Sequence, residues 1–267
     1  MWLLVLLFIP FAVFGGAIVQ VATFDRIQTA LEEASRNDLV VFDVDNTLLA
    51  ADDMILRPCG EEIFYERFNL FGKTMSEEQL KGLGSIVLMH RTCRCVHNQM
   101  PQLVRSLQAR GIKVIALTAL FTGKFGIINN MEDWRGYEMA ELGFDFSKAF
   151  PTHNHIVFGD IMRDRSLPVY KNGILFSVRH TKGEVLQAFL RRVKFRPERV
   201  FFIDDRRDYI DSVHESMKAE EIDCRSIHYT AEEFANDVLD KSVLEKQFDH
   251  LRAHEQWLSD LEIRLDL

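Results

Sequence analysis

Three short apolar runs, each ending in a polar side chain, constrain the fold of this chain most strongly. They are residues 39–45, 112–118 and 200–205, and they end in Asp45, Thr118 and Asp205. Runs of this length without polar alternation are typical of strands that are buried on both faces of a parallel sheet. Because ligands bind beyond the carboxyl ends of such strands, the polar ends are expected to share one functional edge.

Helical patterns alternate with these runs, which favours an α/β fold with a parallel sheet and helices on both faces. The predicted helices cover residues 25–37, 101–110, 122–142 and 182–193. Further strands are predicted at residues 156–158, 173–177 and 226–229. Asn172-Gly173 favours a tight turn between or beside the first two of them.

Two segments depart from the alternating pattern and divide the chain. Residues 53–98 are rich in charged and aromatic side chains and lack strand-like runs, so we interpret them as a small, mostly helical insertion. Residues 231–267 are predicted to form a C-terminal helical extension. The core domain then consists of residues 18–52 and 99–230.

The N-terminal segment indicates export. Residues 1–19 carry no charged side chain, and the small residues Gly15-Gly16-Ala17 suit a cleavage site after Ala17. Residues 1–17 are therefore interpreted as a signal peptide, and the protein as periplasmic or secreted. An uncleaved membrane anchor and a buried core helix are the alternatives, since about 18 apolar residues can span a bilayer.

The charge balance argues against a nucleic-acid partner. The chain has 32 basic and 40 acidic residues, which gives a formal net charge of −8, and it has no basic stripe interleaved with aromatic residues. A small anionic substrate is still compatible with this charge, because a few local cations can outweigh a weak overall field. Membrane contact is expected only if the N-terminal segment is uncleaved, and the sequence leaves the oligomeric state open.

The four cysteines allow two disulfides in an oxidising compartment. Four cysteines have three pairings, and the sequence does not choose between them. The cluster His90, Cys93, Cys95 and His97 does not have the spacing of a structural zinc site, so disulfide pairing or simple exposure is the preferred interpretation. The cysteines are Cys59, Cys93, Cys95 and Cys224.

The strand ends carry carboxylates that together favour a magnesium site. Asp43 and Asp45 are two positions apart at a strand end, so their side chains are expected to point the same way. Two neighbouring carboxylates repel each other, and a hard divalent cation such as Mg²⁺ removes that conflict. Asp205 would add a third carboxylate ligand, with Asp204 beside it.

With a phosphate substrate, each polar residue at this edge has a chemical role. Asp43 would attack phosphorus, and Asp45 would protonate the leaving oxygen and later accept a proton from water. Thr118, at a helix start, would hold phosphate oxygens, and Lys182 would stabilise the transferred group. Taken singly, such residues are usually caps, turns or surface groups, so the prediction depends on their joint occurrence.

The order of these residues resembles the haloacid-dehalogenase superfamily. The matching motifs are residues 42–49 with Asp43 and Asp45, residues 117–119 with Thr118, then Lys182, and residues 203–206 with Asp204 and Asp205. The resemblance implies a Rossmann-like sheet, Mg²⁺ and an aspartyl-phosphate intermediate. Asp45 is typical of the phosphatase branch, because the dehalogenases lack this second acid.

Two departures from the superfamily motifs bear on the site. Asn46 stands where many members have glycine, and asparagine tolerates the same turn. Family phosphatases often have glycine at the position of Asp204, which makes Asp205 the preferred direct metal ligand. The layout is also similar to an uncharacterised family of exported bacterial members, on the basis of residues 117–119, 172–176, 202–205 and 227–229.

The resemblance also implies a role for the insertion at residues 53–98, because related proteins place a substrate-selecting cap domain there. Its polar candidates for contact with a small phosphorylated substrate are Arg57, Tyr65, Arg67, His90 and Arg91. Two other functions share this pattern. One is a membrane-tethered, non-catalytic interaction protein on the same fold, and the other is a phosphomutase.

Overall fold

A computed structural model describes residues 16–162 and 167–266 of the chain. Within them, the strands are β1 (Ile18–Val21), β2 (Leu39–Phe42), β3 (Leu49–Ala51), β4 (Cys93–Cys95), β5 (Lys113–Thr118), β6 (His155–Val157), β7 (Val169–Lys171), β8 (Ile174–Phe176), β9 (Arg199–Asp204) and β10 (Asp223–Tyr229). The α-helices are α1 (Phe24–Leu31), α2 (Glu61–Phe71), α3 (Glu77–His90), α4 (Met100–Ala109), α5 (Met131–Glu141), α6 (Lys182–Val193), α7 (Arg207–Ala219), α8 (Lys241–His254) and α9 (Asp260–Arg264).

Eight strands form the main sheet, in the order β1-β10-β9-β2-β5-β8-β7-β6. The first six are parallel to one another, and β7 and β6 complete the sheet in antiparallel pairing. Both faces are covered. Val40 and Phe42 of β2 pack into a core with α1 and α4, whereas Leu39 and Val41 pack into a second core with α6 and α7. The predicted α/β architecture is therefore confirmed.

The insertion is joined to the sheet by a short two-stranded stalk, in which β3 and β4 pair antiparallel where the chain leaves and re-enters the core. Its helices α2 and α3 share a third hydrophobic cluster with the C-terminal extension. Phe71 and Val87 of the insertion meet Leu244, Phe248 and Trp257 there. The two segments that the sequence separates thus fold together as one helical layer, which we call the cap layer.

Several elements differ from the sequence predictions. The helix predicted from residue 122 begins only at Met131, because Gly123 and Gly126 have φ values of +70° and +55°, and the Asn130 side chain caps the helix by accepting from Asp133 N at 2.8 Å. The sequence does not predict strands β1, β3, β4 and β7 or helix α7, and β4 lies inside the segment that is expected to lack strands. The Asn172-Gly173 turn, with φ values of +49° and +88°, joins β7 to β8 as a hairpin.

The predicted signal peptide or anchor covers residues 1–17, and residues 1–15 of it lie outside the described part of the chain. Ala17 leads directly into β1, and its carbonyl accepts a hydrogen bond from Ser226 N at 3.1 Å. Among the described residues, the helices are too short or too polar to cross a membrane.

In the described part of the chain, the cysteines form neither the disulfides that the sequence allows nor, with the neighbouring histidines, the alternative zinc cluster. All four cysteines lie in the described part and are free thiols. His97 stacks on the Phe24 ring at a centroid distance of 4.2 Å. Among the described residues, the ligand-type side chains close enough to share a metal ion do not include the His90–His97 cluster.

A buried carboxylate anchors the C-terminal extension where the insertion begins. Asp53 is almost fully buried and accepts hydrogen bonds from Trp257 Nε1 at 2.9 Å and from Asp260 N at 2.8 Å. Asp260 in turn accepts from Met54 N at 3.1 Å. A buried acceptor that loses its donors retains a desolvation cost, so these bonds tie the extension firmly to the base of the insertion.

Replacing Asp53 by Asn tests this anchor, because an NH₂ group then faces one of the two N–H donors. We expect the free energy of unfolding to fall by about 1–3 kcal/mol, measured by urea denaturation followed by far-UV circular dichroism. The matched control is Asp52→Asn at the exposed neighbouring position, where the contact with Arg94 at 3.5 Å is a surface pair. That control is expected to change the stability by less than about 0.5 kcal/mol, and equal losses in the two variants would contradict the anchor.

Candidate functional site

The carboxyl ends of β2, β5 and β9 bring the predicted site residues to one edge of the sheet. β2 lies between β5 and β9, with Phe42 in register with Ala116 and Ile203. Asp43 follows immediately, and its N–H donates to Ile203 O at 2.8 Å. Asp204 ends β9 and Thr118 ends β5.

Side-chain alternation directs Asp43 and Asp204 toward the face that carries α6. Phe42 and Ile203 belong to the opposite core, so the next residue on each strand points to the α6 side. Lys182 is the first residue of α6, whose N-cap Thr181 accepts from Glu184 N at 3.2 Å. Helix capping therefore fixes the start of α6 beside the two strand ends.

Lys182 is fully buried and bridges the two acids. Its Nζ donates to Asp43 Oδ1 and, at 2.6 Å, to Asp204 Oδ2. The Tyr209 ring lies 4.5 Å from the same Nζ. Burial by itself lowers the pKa of Lys182, but the carboxylates of Asp204 and Asp43 outweigh it and raise that pKa above its ordinary value. The two carboxylates therefore favour the charged form of Lys182.

Asp43, Asp204 and Asp205 form one acidic group, in which each offers an oxygen within 4.8 Å of the others. Lys182 neutralises one of three charges, so two negative charges remain when all three acids are ionised. Burial, opposed by Lys182 and reinforced by Asp204, raises the pKa of Asp43 to about 7. Burial and the neighbouring acids raise the pKa of Asp205 well above its ordinary value. This donor set and its residual charge fit a divalent cation with a preference for oxygen ligands.

Backbone contacts orient the two acids that follow β9. Asp204 Oδ1 accepts from Arg206 N at 2.8 Å, while its Oδ2 is held by Lys182. His228, at the end of β10, donates from Nε2 to Asp205 O at 2.9 Å. Asp204 is fully buried, whereas Asp205 is partly exposed. The more open position of Asp205 is compatible with its predicted role as the direct metal ligand.

Asp45 lies outside this acidic group, although the sequence places it among the metal ligands. The strand ends at Phe42, and the Val44 carbonyl accepts from the N–H groups of Leu48 at 2.9 Å and Leu49 at 3.0 Å. This turn, with Asn46 at a φ of +61°, redirects the chain, so the two acids do not share the strand-like orientation expected for them.

Instead, Asp45 meets two arginines. Arg135 Nη2 lies 2.8 and 3.0 Å from its two carboxylate oxygens, and Arg91 Nη2 lies 3.4 Å from Oδ1. Glu138 accepts from both arginines. Burial raises the pKa of Asp45, but Arg135 and Arg91 outweigh it and lower the pKa below its ordinary value. The sequence does not single out Arg135 and Glu138 as site residues, because their spacing of three on a helix is also typical of a surface pair.

Thr118 is buried at the end of β5, one strand away from Asp43. Its hydroxyl oxygen accepts from Leu120 N at 3.2 Å, an interaction that leaves the hydroxyl proton for a ligand. Its carbonyl accepts from Ser177 N at 2.8 Å, which joins the loops after β5 and β8. Thr118 is thus at the predicted edge but not at a helix start, because α5 begins only at Met131. Its contact with phosphate remains a prediction.

Two of the predicted cap candidates have structural contacts instead. Arg57 is buried and pairs with Asp237 at 3.0 Å, and Arg67 pairs with Glu245. Both therefore connect the insertion to the C-terminal extension. His90 is exposed at the end of α3.

The other two candidates lie near the site. Arg91 reaches Asp45, as described above. Tyr65 is exposed on α2, one turn after Glu61. The Glu61 carboxylate pairs with Arg206 at 3.3 Å, and Arg206 directly follows Asp205 in the chain. The insertion therefore contributes polar side chains to both sides of the candidate site.

Comparison with known proteins relates the chain to rickettsial sequences. An uncharacterized protein of Rickettsia typhi is 27% identical over 164 residues, aligned with 58% of this chain and 56% of its own length. One from Rickettsia prowazekii is 27% identical over 164 residues, with 58% and 55% covered. One from Rickettsia bellii is 22% identical over 230 residues, with 81% and 77% covered. The aligned part of the chain thus spans little more than half the length of the first two relatives.

The family match extends over most of the chain. It covers residues 20–264, and therefore includes the sheet, the insertion and the C-terminal extension. All residues of the candidate site fall within it. The chain belongs to this family, which is described as a protein of unknown function, DUF2608.

Proposed function

We propose that the protein is a Mg²⁺-dependent phosphohydrolase that cleaves small phosphomonoesters through an aspartyl-phosphate on Asp43. The observation that carries the proposal is the buried Lys182, which holds Asp43 and Asp204 together beside Asp205. Three acids and one lysine at the carboxyl edge of a parallel sheet provide a nucleophile, a cation and a metal-type donor set. The resemblance of these residues to the haloacid-dehalogenase motifs supports the same reaction.

The acidic group supplies the place for the cation. Asp43, Asp204 and Asp205 would hold it, with Asp205 as the most accessible ligand. When bound, Mg²⁺ neutralises the two charges that Lys182 leaves and reduces the repulsion between the nucleophile and the phosphate.

In the first half of the reaction, an oxygen of Asp43 forms a bond to phosphorus while the bond from phosphorus to the leaving oxygen breaks. Lys182 orients Asp43 through Oδ1 and stabilises the charge of the transferred group. Asp45 donates a proton to the leaving oxygen, which departs as an alcohol. Thr118 would hold a phosphate oxygen through its hydroxyl proton.

In the second half, water attacks phosphorus and the Asp43 carboxylate is regenerated as inorganic phosphate forms. Asp45 accepts the proton of that water, which restores its starting state. The two arginines beside Asp45 favour its ionised form, which assists this step, whereas the first half requires Asp45 to be protonated before the leaving oxygen departs. Contacts of the cap layer at this edge support a small phosphorylated substrate, because Glu61 of α2 pairs with Arg206 and Arg91 pairs with Asp45.

Asp43→Asn removes the nucleophile while keeping the size of the side chain. We expect Mg²⁺-dependent phosphate release from a panel of nucleotides, sugar phosphates and aryl phosphates to fall at least about 10³-fold. The control is Asp211→Asn, an exposed aspartate on α7 that pairs with Arg207 at 2.8 Å, and it is expected to keep its activity.

The same panel separates the alternatives. Failure of the unmodified protein to release phosphate from any substrate would contradict the proposal and favour a non-catalytic interaction protein. Transfer of the phosphoryl group to a sugar acceptor instead of water would indicate a phosphomutase.

Removal of the metal should abolish the activity, and a binding measurement tests the site independently. Millimolar Mg²⁺ is expected to raise the melting temperature of the unmodified protein by about 2–5 °C. Asp205→Asn should raise the metal-free melting temperature, because it removes a like charge, and should flatten the response to Mg²⁺. Differential scanning fluorimetry with a magnesium titration measures both effects, and an unchanged response in this variant would count against the assigned ligands.

Asp45→Asn tests the acid through the leaving group. An alkyl phosphate needs a proton on its leaving oxygen, whereas nitrophenolate leaves without one. We therefore expect kcat/KM to fall about 10²-fold or more for an alkyl phosphate and by less than about 5-fold for nitrophenyl phosphate. Steady-state kinetics with both substrates measures the ratio, and equal losses would show that Asp45 has another role.

A further inference from the structure

We propose that Arg135 is the positioning residue for Asp45, and that it presents the carboxylate of Asp45 to the reacting phosphate. The inference rests on the proposed function, in which Asp45 is the general acid and base. It assigns the orientation of that acid to one side chain of α5, a helix that carries none of the predicted motif residues.

The geometry between the two side chains is well defined. Arg135 Nη2 donates to both oxygens of Asp45, at 3.0 Å to Oδ1 and 2.8 Å to Oδ2. Its other amino group, Nη1, donates to Glu138 Oε2 at 2.6 Å. A guanidinium held on two sides cannot rotate without breaking both ion pairs, so it fixes the direction of the carboxylate that it binds.

Burial shows which side of Asp45 this contact occupies. The Arg135 side chain is 0% exposed, whereas the Asp45 side chain is 39% exposed. Arg135 therefore binds Asp45 from the protein interior, and the opposite side of the carboxylate faces open space. An arginine between Asp45 and the solvent would block a substrate, but one behind it leaves the acid accessible.

A second arginine links the same carboxylate to the insertion. Arg91 follows the last residue of α3 and lies 3.4 Å from Asp45 Oδ1 and 2.9 Å from Glu138 Oε1. The Trp134 ring lies within 5.5 Å of the guanidinium carbons of Arg91 and Arg135. The two arginines and two acids balance in charge, so this cluster retains its geometry without a bound cation.

The cost of this arrangement argues that it does more than stabilise the fold. Arg135 Nε is buried and has no hydrogen-bond partner among the described residues. Burying an arginine with an unpaired donor is expensive, and apolar side chains of similar volume commonly give equal or better stability. What an apolar side chain cannot provide is a fixed, charge-assisted orientation of Asp45.

Arg135→Gln tests the inference through the same leaving-group comparison. We expect kcat/KM to fall about 10–100-fold for an alkyl phosphate and by less than about 3-fold for nitrophenyl phosphate. Arg135→Lys keeps the charge without the paired geometry and should recover part of the loss. The control is Arg207→Gln, at an exposed arginine of α7, which should leave both substrates unaffected.

The double variant Asp45→Asn with Arg135→Gln separates positioning from a structural role. If Arg135 acts through Asp45, the double variant should lose no more than about 2-fold beyond Asp45→Asn alone. Equal losses for both substrates in Arg135→Gln, or a further large loss in the double variant, would overturn the inference.

Two further measurements keep the outcomes distinct. Circular dichroism melts check that the variants fold. If Arg135→Gln does not fold, Arg91→Gln provides the same test at the second arginine. We expect it to lose more activity with the alkyl phosphate than with nitrophenyl phosphate, and equal losses would overturn the inference. An unmodified protein without Mg²⁺-dependent activity toward either phosphate would overturn the proposed function and this inference together. An active unmodified protein whose Arg135 and Arg91 variants show no leaving-group preference would overturn the inference alone.

Discussion

The buried ammonium of Lys182 is the interaction on which the edge of the sheet depends. It lies between Asp43 and Asp204, which end neighbouring strands, and it joins them to the start of α6. Without a cation at this position, two carboxylates would be buried side by side at a cost of several kcal/mol per ion. The strand ends, the capped helix start and the acidic group can therefore coexist only as a unit.

The charged side chains at this edge form two clusters that differ in net charge. Asp45, Glu138, Arg91 and Arg135 form a cluster in which positive and negative charges are equal. The group around Lys182 has two more acids than bases, when all are ionised, and these acids are close enough to share an ion. This difference supports the proposed division of roles between Asp43, as nucleophile and metal ligand, and Asp45, as general acid and base.

The sequence predicted the part of the site that depends on strand order. Asp43, Thr118 and Asp204 are the first polar residues after apolar stretches, and Lys182 starts a capped helix, so parallel pairing brings them to one edge. It did not predict the direction of Asp45, because that direction depends on the turn after Val44 rather than on strand alternation. Arg135 and Glu138 carry no signal in the sequence, because the burial of Arg135 and its contact with Asp45 result from the packing of distant segments. The late start of α5, after two glycines with positive φ, is a local effect that the helical pattern of the flanking residues concealed.

The cap layer affects the site through its attachment as well as its position. The strands β3 and β4, of three residues each, form the stalk. Asp53 and Arg57, which follow β3, bind the C-terminal extension. Arg91 lies just before β4. The extension packs into the same hydrophobic cluster as α2 and α3. A movement of the insertion relative to the sheet would therefore either move the extension with it or break the buried hydrogen bonds to Asp53. Arg91 would move with it and release Asp45 from one of its two arginines, whereas Arg135, on the core helix α5, would remain. The carboxylate of Asp45 is thus held by one contact that is independent of the cap layer and one that depends on it, which connects the position of the cap layer to the orientation of Asp45.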